Sequence, residues 1–128
     1  MKFGYTLLYV YDVPATVEFY EKAFGLERSF LHESNSYAEM KTGETRLGFV
    51  SLEVADGNGV RFQTVSLAGD PPGIEVGFVT ATVAEHYQRA LDAGATSVLA
   101  PVQKPWGQLV SYVRDNNGFL VEICSPMG

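Results

Sequence analysis

Phe19-Tyr20-Glu21-Lys22-Ala23-Phe24 and His86-Tyr87-Gln88-Arg89-Ala90-Leu91 read as two versions of one phrase, each followed closely by a glycine. Their surroundings repeat as well. Before the first lies Tyr5-Thr6-Leu7-Leu8-Tyr9-Val10-Tyr11, a β-branched, aromatic and aliphatic run that predicts a strand. Asp12 is placed to cap a helix and Pro14 is tolerated in its first turn. Val13, Val17, Tyr20 and Phe24 then recur on one helical face, and Gly25 is the stop. Strands are expected at 28–31, 36–40 and 45–52. Before the second phrase, residues 74–80 predict another strand, and Thr82-Val83-Ala84-Glu85 is a capping-box pattern. Val83, Tyr87, Ala90 and Leu91 form the apolar face, Gly94 ends the helix, and strands are expected at 97–99, 108–113 and 119–124. The chain is an α+β protein in which a strand–helix–three-strand unit is written twice, over 1–53 and 74–128. Residues 54–73 lie between as a linker or a cover; 60–67 alternate apolar and polar and are able to pair as a strand.

Composition narrows the function. Apolar residues make up 46% of the 128, enough for an ordinary core, and no apolar run approaches the roughly 20 residues of a membrane span. The opening residues read as the approach to a strand rather than as a leader. A net charge of −6 speaks against nucleic acid, since phosphate binding needs a basic face. Cys124 is the single cysteine and has no partner for an internal disulfide, which makes the cytoplasm the expected compartment. No histidine or lysine close in sequence lowers its pKa, so it reads as a packed thiol rather than a nucleophile.

The residues Phe119-Leu120-Val121-Glu122-Ile123-Cys124 put one carboxylate inside an apolar strand. An ionised carboxylate is costly to bury without a partner, so Glu122 faces either water or a site built around it. Period-two alternation sets Leu120, Glu122 and Cys124 on one face and Phe119, Val121 and Ile123 on the other. In the same way Glu75 shares a face with Gly77 and Val79, and Tyr5 with Leu7 and Tyr9.

Asp12, Phe19-Tyr20 to Gly25-Leu26, Gly77-Phe78-Val79, Ala93-Gly94-Ala95, Pro105-Trp106-Gly107-Gln108 and Asp115-Asn116-Asn117-Gly118 to Glu122-Ile123 together resemble the vicinal oxygen chelate superfamily. That superfamily holds glyoxalase I, fosfomycin-resistance proteins, extradiol dioxygenases and bleomycin-resistance proteins. The likeness covers the whole chain and is nearest to the glyoxalase/bleomycin-resistance type. It implies two βαβββ modules curling around a shared cavity, and a homodimer. It also implies metal ligands on the first and last strands of each module. Tyr5 stands at the first-strand position, seven before Asp12, and is a poor ligand; Leu47-Gly48-Phe49-Val50-Ser51 offers none. Glu75, seven before Thr82, and Glu122 keep oxygen. No complete metal site is expected, and His32 and His86 do not fill the gap.

Three functions follow from that comparison. The first is a binding protein of the bleomycin-resistance type for a cationic or aromatic small molecule. Its site would be lined by Tyr5, Leu7, Tyr9, Phe49, Trp106, Tyr112, Glu75 and Glu122, with Trp106 at the cavity rim. The second is a metal-dependent lyase, isomerase or transferase of the glyoxalase type using Glu75 and Glu122 with a divalent ion. The third is a metal-free enzyme in which one of these two glutamates is the catalytic general base. Arg46 and Arg114, each beside a turn, read as solvated or as contacts for an anion.

Overall fold

A computed structural model describes residues 1–127. The chain divides into two compact units, residues 1–21 with 25–64, and residues 22–24 with 65 onward. Among the described residues no helix is long and apolar enough to cross a membrane.

The first unit is a four-stranded sheet in the order β1-β4-β3-β2. β1 (Tyr5–Val10) leads into helix α1 (Val13–Phe24), followed by β2 (Arg28–Leu31), β3 (Tyr37–Met40) and β4 (Arg46–Ser51). The start and stop of α1 are those expected. The Asp12 carboxylate accepts from the Ala15 amide at 3.0 Å, and Gly25 closes the helix at a φ of 70°. β4 returns beside β1 in parallel, while β2–β3 and β3–β4 are antiparallel. Leu8, Phe49 and Ala38 lie in one cross-strand row, all buried. Val13, Val17 and Tyr20 of α1 are buried too, and the Tyr20 ring meets Phe49 at 4.8 Å. Ser51 ends β4 by capping the short helix α2 (Leu52–Gly57), its hydroxyl accepting from the Val54 amide.

The second unit repeats the plan with order β5-β8-β7-β6. β5 (Glu75–Val79) precedes α3 (Val83–Asp92), then come β6 (Thr96–Gln103), β7 (Leu109–Arg114) and β8 (Leu120–Cys124). β5–β8 is parallel, and β6–β7 and β7–β8 are antiparallel. Val113, Val121 and Ile123 are buried on the face opposite Glu122, and Val83, Tyr87 and Ala90 are the buried positions of α3. Both units are therefore βαβββ modules.

Three local expectations change. The capping box at Thr82 does not form: its side chain makes no cap bond and lies 3.3 Å from the Thr80 hydroxyl instead. β6 extends to Gln103 through Pro101, which an edge strand tolerates because its outer amides need no partner. Residues 60–67 join no strand. Phe62 packs edge-on against Tyr9 at 4.9 Å, and the backbone carbonyls of Ser66, Leu67 and Gly69 are taken by Arg114.

Candidate functional site

The open face of the second sheet is built in rows by strand register. Gly77, Glu122 and Tyr112 form one row; Glu75, Leu120 and Arg114 form the next. Neighbouring strands lie about 4.8 Å apart, so the Glu75 and Glu122 side chains rise from adjacent strands on one face. Tyr112 donates its hydroxyl to Glu122 Oε2 at 3.0 Å. Gly77 contributes no side chain beside that carboxylate; a Cβ there would stand 3.6 Å from Glu122 Oε1. Glycine thus leaves the second oxygen accessible from the β5 side.

The charges on this face interact. Partial burial, and then the neighbouring Glu122 carboxylate, raise the pKa of Glu75 above the usual carboxylate value. Burial and then the bond to Glu122 push Tyr112 up to about 12, so it remains a donor at neutral pH. Cys124 is buried, contacts the Phe78 carbonyl through Sγ, and is pushed up to about 11 by burial first and Glu122 next. It therefore carries its proton at neutral pH.

Other sequence candidates lie in different surroundings. Trp106 stands in a tight turn, 62% exposed, with its indole N–H on Gln108 Oε1 at 2.9 Å. Gln108 in turn donates to the Ser125 carbonyl, which fixes the turn against the end of β8. Tyr5, Leu7 and Tyr9 share the open face of the first sheet; Tyr5 is 56% exposed, and Leu7 covers Gly48. Phe49 is fully buried against Tyr20 on the helix side of the sheet. It belongs to the core and not to an open face, because it alternates with Gly48. Arg114 is only 8% exposed; its guanidinium is spent on backbone carbonyls rather than on solvent or an anion.

The sequence reading passed over Tyr37 and Glu39. Both project on the open face of the first sheet, where Glu39 pairs with Gly48 and Gly48 with Leu7. Tyr37 donates to Glu39 Oε2 at 2.5 Å, and Arg46 Nη1 lies 3.5 Å from Glu39 Oε1. The signal was present, since Tyr37-Ala38-Glu39-Met40 alternates as the Glu122 strand does.

Register also tests the donor set that a metal would need. Gly77 faces Glu122 in the second sheet as Leu7 faces Gly48 in the first, so Gly48 is the counterpart of Glu122. A Cβ at Gly48 would stand 2.7 Å from Leu7 Cδ2 and 3.1 Å from the Ala38 carbonyl. No acidic side chain fits there without rearrangement, and Tyr5, two residues before Leu7 on β1, offers a phenol where a metal needs a stronger donor. Among the described residues no group of three or more histidine, cysteine, aspartate or glutamate side chains is placed to hold an ion. The residues at these positions do not fit a resident metal.

Two βαβββ modules with matched sheet order define the vicinal oxygen chelate fold. The sequence profile of the Glyoxalase/Bleomycin resistance protein/Dioxygenase superfamily matches residues 2–123, and the chain belongs to that superfamily. A glyoxalase-related enzyme from Fulvimarina pelagi is similar in structure, with a TM-score of 0.84 at 20% identity, covering 98% of this chain and 88% of that one. A glyoxalase/bleomycin resistance protein/dioxygenase family enzyme from Burkholderia phytofirmans PsJN has a TM-score of 0.75 at 20% identity, covering 98% of both. TioX from Micromonospora sp. ML1 has a TM-score of 0.73 at 25% identity, also covering 98% of both. No curated protein matches.

Proposed function

We propose that the chain is a small-molecule-binding protein of the glyoxalase/bleomycin-resistance type, whose guest carries a positive charge read by Glu75 and Glu122. One observation carries this reading: two carboxyl groups share a sheet face, and the first is held above its usual pKa by burial and by the second. A cation placed between them relieves both penalties at once. Tyr112 fixes one oxygen of Glu122, and Gly77 leaves the other accessible. Trp106, exposed beside this sheet's β7, supplies a ring on which a cationic or aromatic group can stack. The same raised pKa would suit Glu75 as a general base in metal-free chemistry, the third of the functions drawn from the sequence. We place the protein in the cytoplasm as a homodimer; the lone thiol supports the first, and the apolar Val98 and Val102 left exposed on edge strand β6 support the second.

The test uses benzyltrimethylammonium, titrated against the fluorescence of Trp106, the single tryptophan, between pH 5 and 8. Binding is expected to strengthen as pH rises through the raised pKa of Glu75, because the guest displaces a proton. Glu122→Gln keeps the shape, loses the charge, and is expected to weaken binding about tenfold, the scale of one close charge interaction. Affinity that is flat with pH and unchanged in Glu122→Gln would sink the proposal.

A further inference from the structure

We infer that the open face of the first sheet holds a cation subsite of its own, centred on Glu39, in which Arg46 stands in for a guanidinium, amidinium or ammonium guest. This goes beyond the reading above, which rests on the other sheet. Glu39 is 7% exposed, and a carboxylate so covered needs partners for both oxygens. Oε2 has a close one in the Tyr37 hydroxyl. Among the described residues Oε1 has only Arg46, at 3.5 Å through a single nitrogen. That is well beyond the roughly 2.7–2.9 Å of a charge-assisted N–H···O bond, and it is not the bidentate arrangement arginine adopts when it is a carboxylate's structural partner. The Arg46 side chain is 60% exposed, so it can turn into water at little cost in solvation.

What surrounds Glu39 favours a cation over any other occupant. Phe30 pairs with Glu39 on β2, and its ring meets Tyr37 at 5.7 Å. Tyr5 opposes Arg46 across β1–β4. A covered carboxylate with one loosely engaged oxygen, bordered by three rings, attracts a flat or compact cation through charge and π-face together. The two sheets have thus exchanged residue types. The first carries its glutamate on β3 and glycine at the β4 position; the second carries tyrosine on β7 and its glutamate on β8.

A purely structural ion pair makes the opposite forecast, because its removal would gain nothing. Benzamidine, an amidinium, and benzamide, its neutral near-isostere, are titrated by calorimetry into wild type, Arg46→Gln and Arg46→Gln/Glu39→Gln. Arg46→Gln is expected to bind benzamidine at least tenfold more tightly than wild type, with benzamide unchanged and the gain lost in the double variant. The gain is expected to survive in Arg46→Gln/Glu122→Gln, which separates this subsite from the second sheet. Amide chemical shifts in Arg46→Gln give a reading that does not need the Glu39 variant to fold: benzamidine is expected to move residues 5, 37, 39 and 46. No gain in Arg46→Gln, an equal gain for benzamide, persistence without Glu39, loss without Glu122, or shifts confined to residues 75–124 would each overturn the inference.

Discussion

A glutamate on a mostly open strand face ordinarily titrates as it does in a free peptide, and Glu75 does not, first because it is partly buried and then because it shares its face with Glu122. Its folded pKa lies above its unfolded one, so the folded state holds that proton more tightly. The associated stability is fully present below the ordinary carboxylate pKa and is lost as pH rises through the raised value. Above that window the ionised pair is a standing cost in the empty protein. Glu75→Gln removes it while keeping the side chain's size. The melting temperature of Glu75→Gln is expected to exceed that of wild type at pH 7, with the gap closing toward pH 4. Thermal melts across pH 4–8 check this, and a gap independent of pH would remove like-charge repulsion as its cause. The strand face that each of Glu75 and Glu122 shares with its own neighbours was legible from alternation; that β5 and β8 lie side by side, which sets the two diagonally on one sheet face, rests on the pairing. Glu39 obeys the same rule, but its place on the open face depends on β3 pairing with β4 opposite Gly48, which the sequence of β3 alone does not carry.

At the scale of elements, the strands and helices were readable because each carries its period openly: two for strands such as β8, nearly four for α1. Residues 58–74 resisted reading because their conformation is set from elsewhere in the chain. Alternation suggested a strand over 60–67, yet the segment joins no strand, and Arg114 holds the stretch from Ser66 to Gly69 instead. Its guanidinium donates to the carbonyls of Ser66, Gly69 and Gly118 at 2.7–2.9 Å. Gly118 is part of the same clasp. Its φ is 110°, and a Cβ there would lie 2.9 Å from Arg114 Nη2 and 3.0 Å from the Ser66 carbonyl carbon. Arg114→Ala leaves the buried Gly118 carbonyl and the part-buried bonds to Ser66 and Gly69 without their donor and is expected to cost about 3 kcal/mol, a hydrogen bond to a charged group being worth about 1.5–3 kcal/mol. Gly118→Ala adds backbone strain of about 1–3 kcal/mol at that φ and presses on the same segment. Both variants are expected to accelerate amide exchange at residues 66–69 first. Exchange that rises uniformly through both sheets, with no excess at 66–69, would mean that the clasp does not govern this segment.

Over the whole molecule the two modules share a frame and differ in what the frame presents. The apolar faces that pack on helices, the Asp12 and Gly25 caps and the turn at Asp115 are dictated by folding, and the apolar faces repeat legibly enough to show two βαβββ units from sequence. The open faces are free of that constraint, and there the modules diverge. Tyr5 matches Glu75, Leu7 matches Gly77, Gly48 matches Glu122 and Glu39 matches Tyr112 once the registers are aligned. That correspondence needs the cross-strand pairing, which spacing along the chain does not reveal for β3 and β7. Its consequence is chemical. The ligand positions that the family resemblance implied are 5 and 48 in the first module and 75 and 122 in the second, and they hold a phenol and no side chain in the one, two carboxylates in the other. Leu7 also fills the space over Gly48, so the missing donor is replaced by packing rather than by an open coordination position. Two glutamates alone make a weak, oxygen-only site that exchanges readily with solvent. Protein purified without added metal is therefore expected to carry zinc, nickel or iron far below one equivalent by elemental analysis, and Glu122→Ala is expected to leave that content unchanged. A stoichiometric ion that survives dialysis and disappears in Glu122→Ala would show that the donor set is completed in a way the register does not reveal.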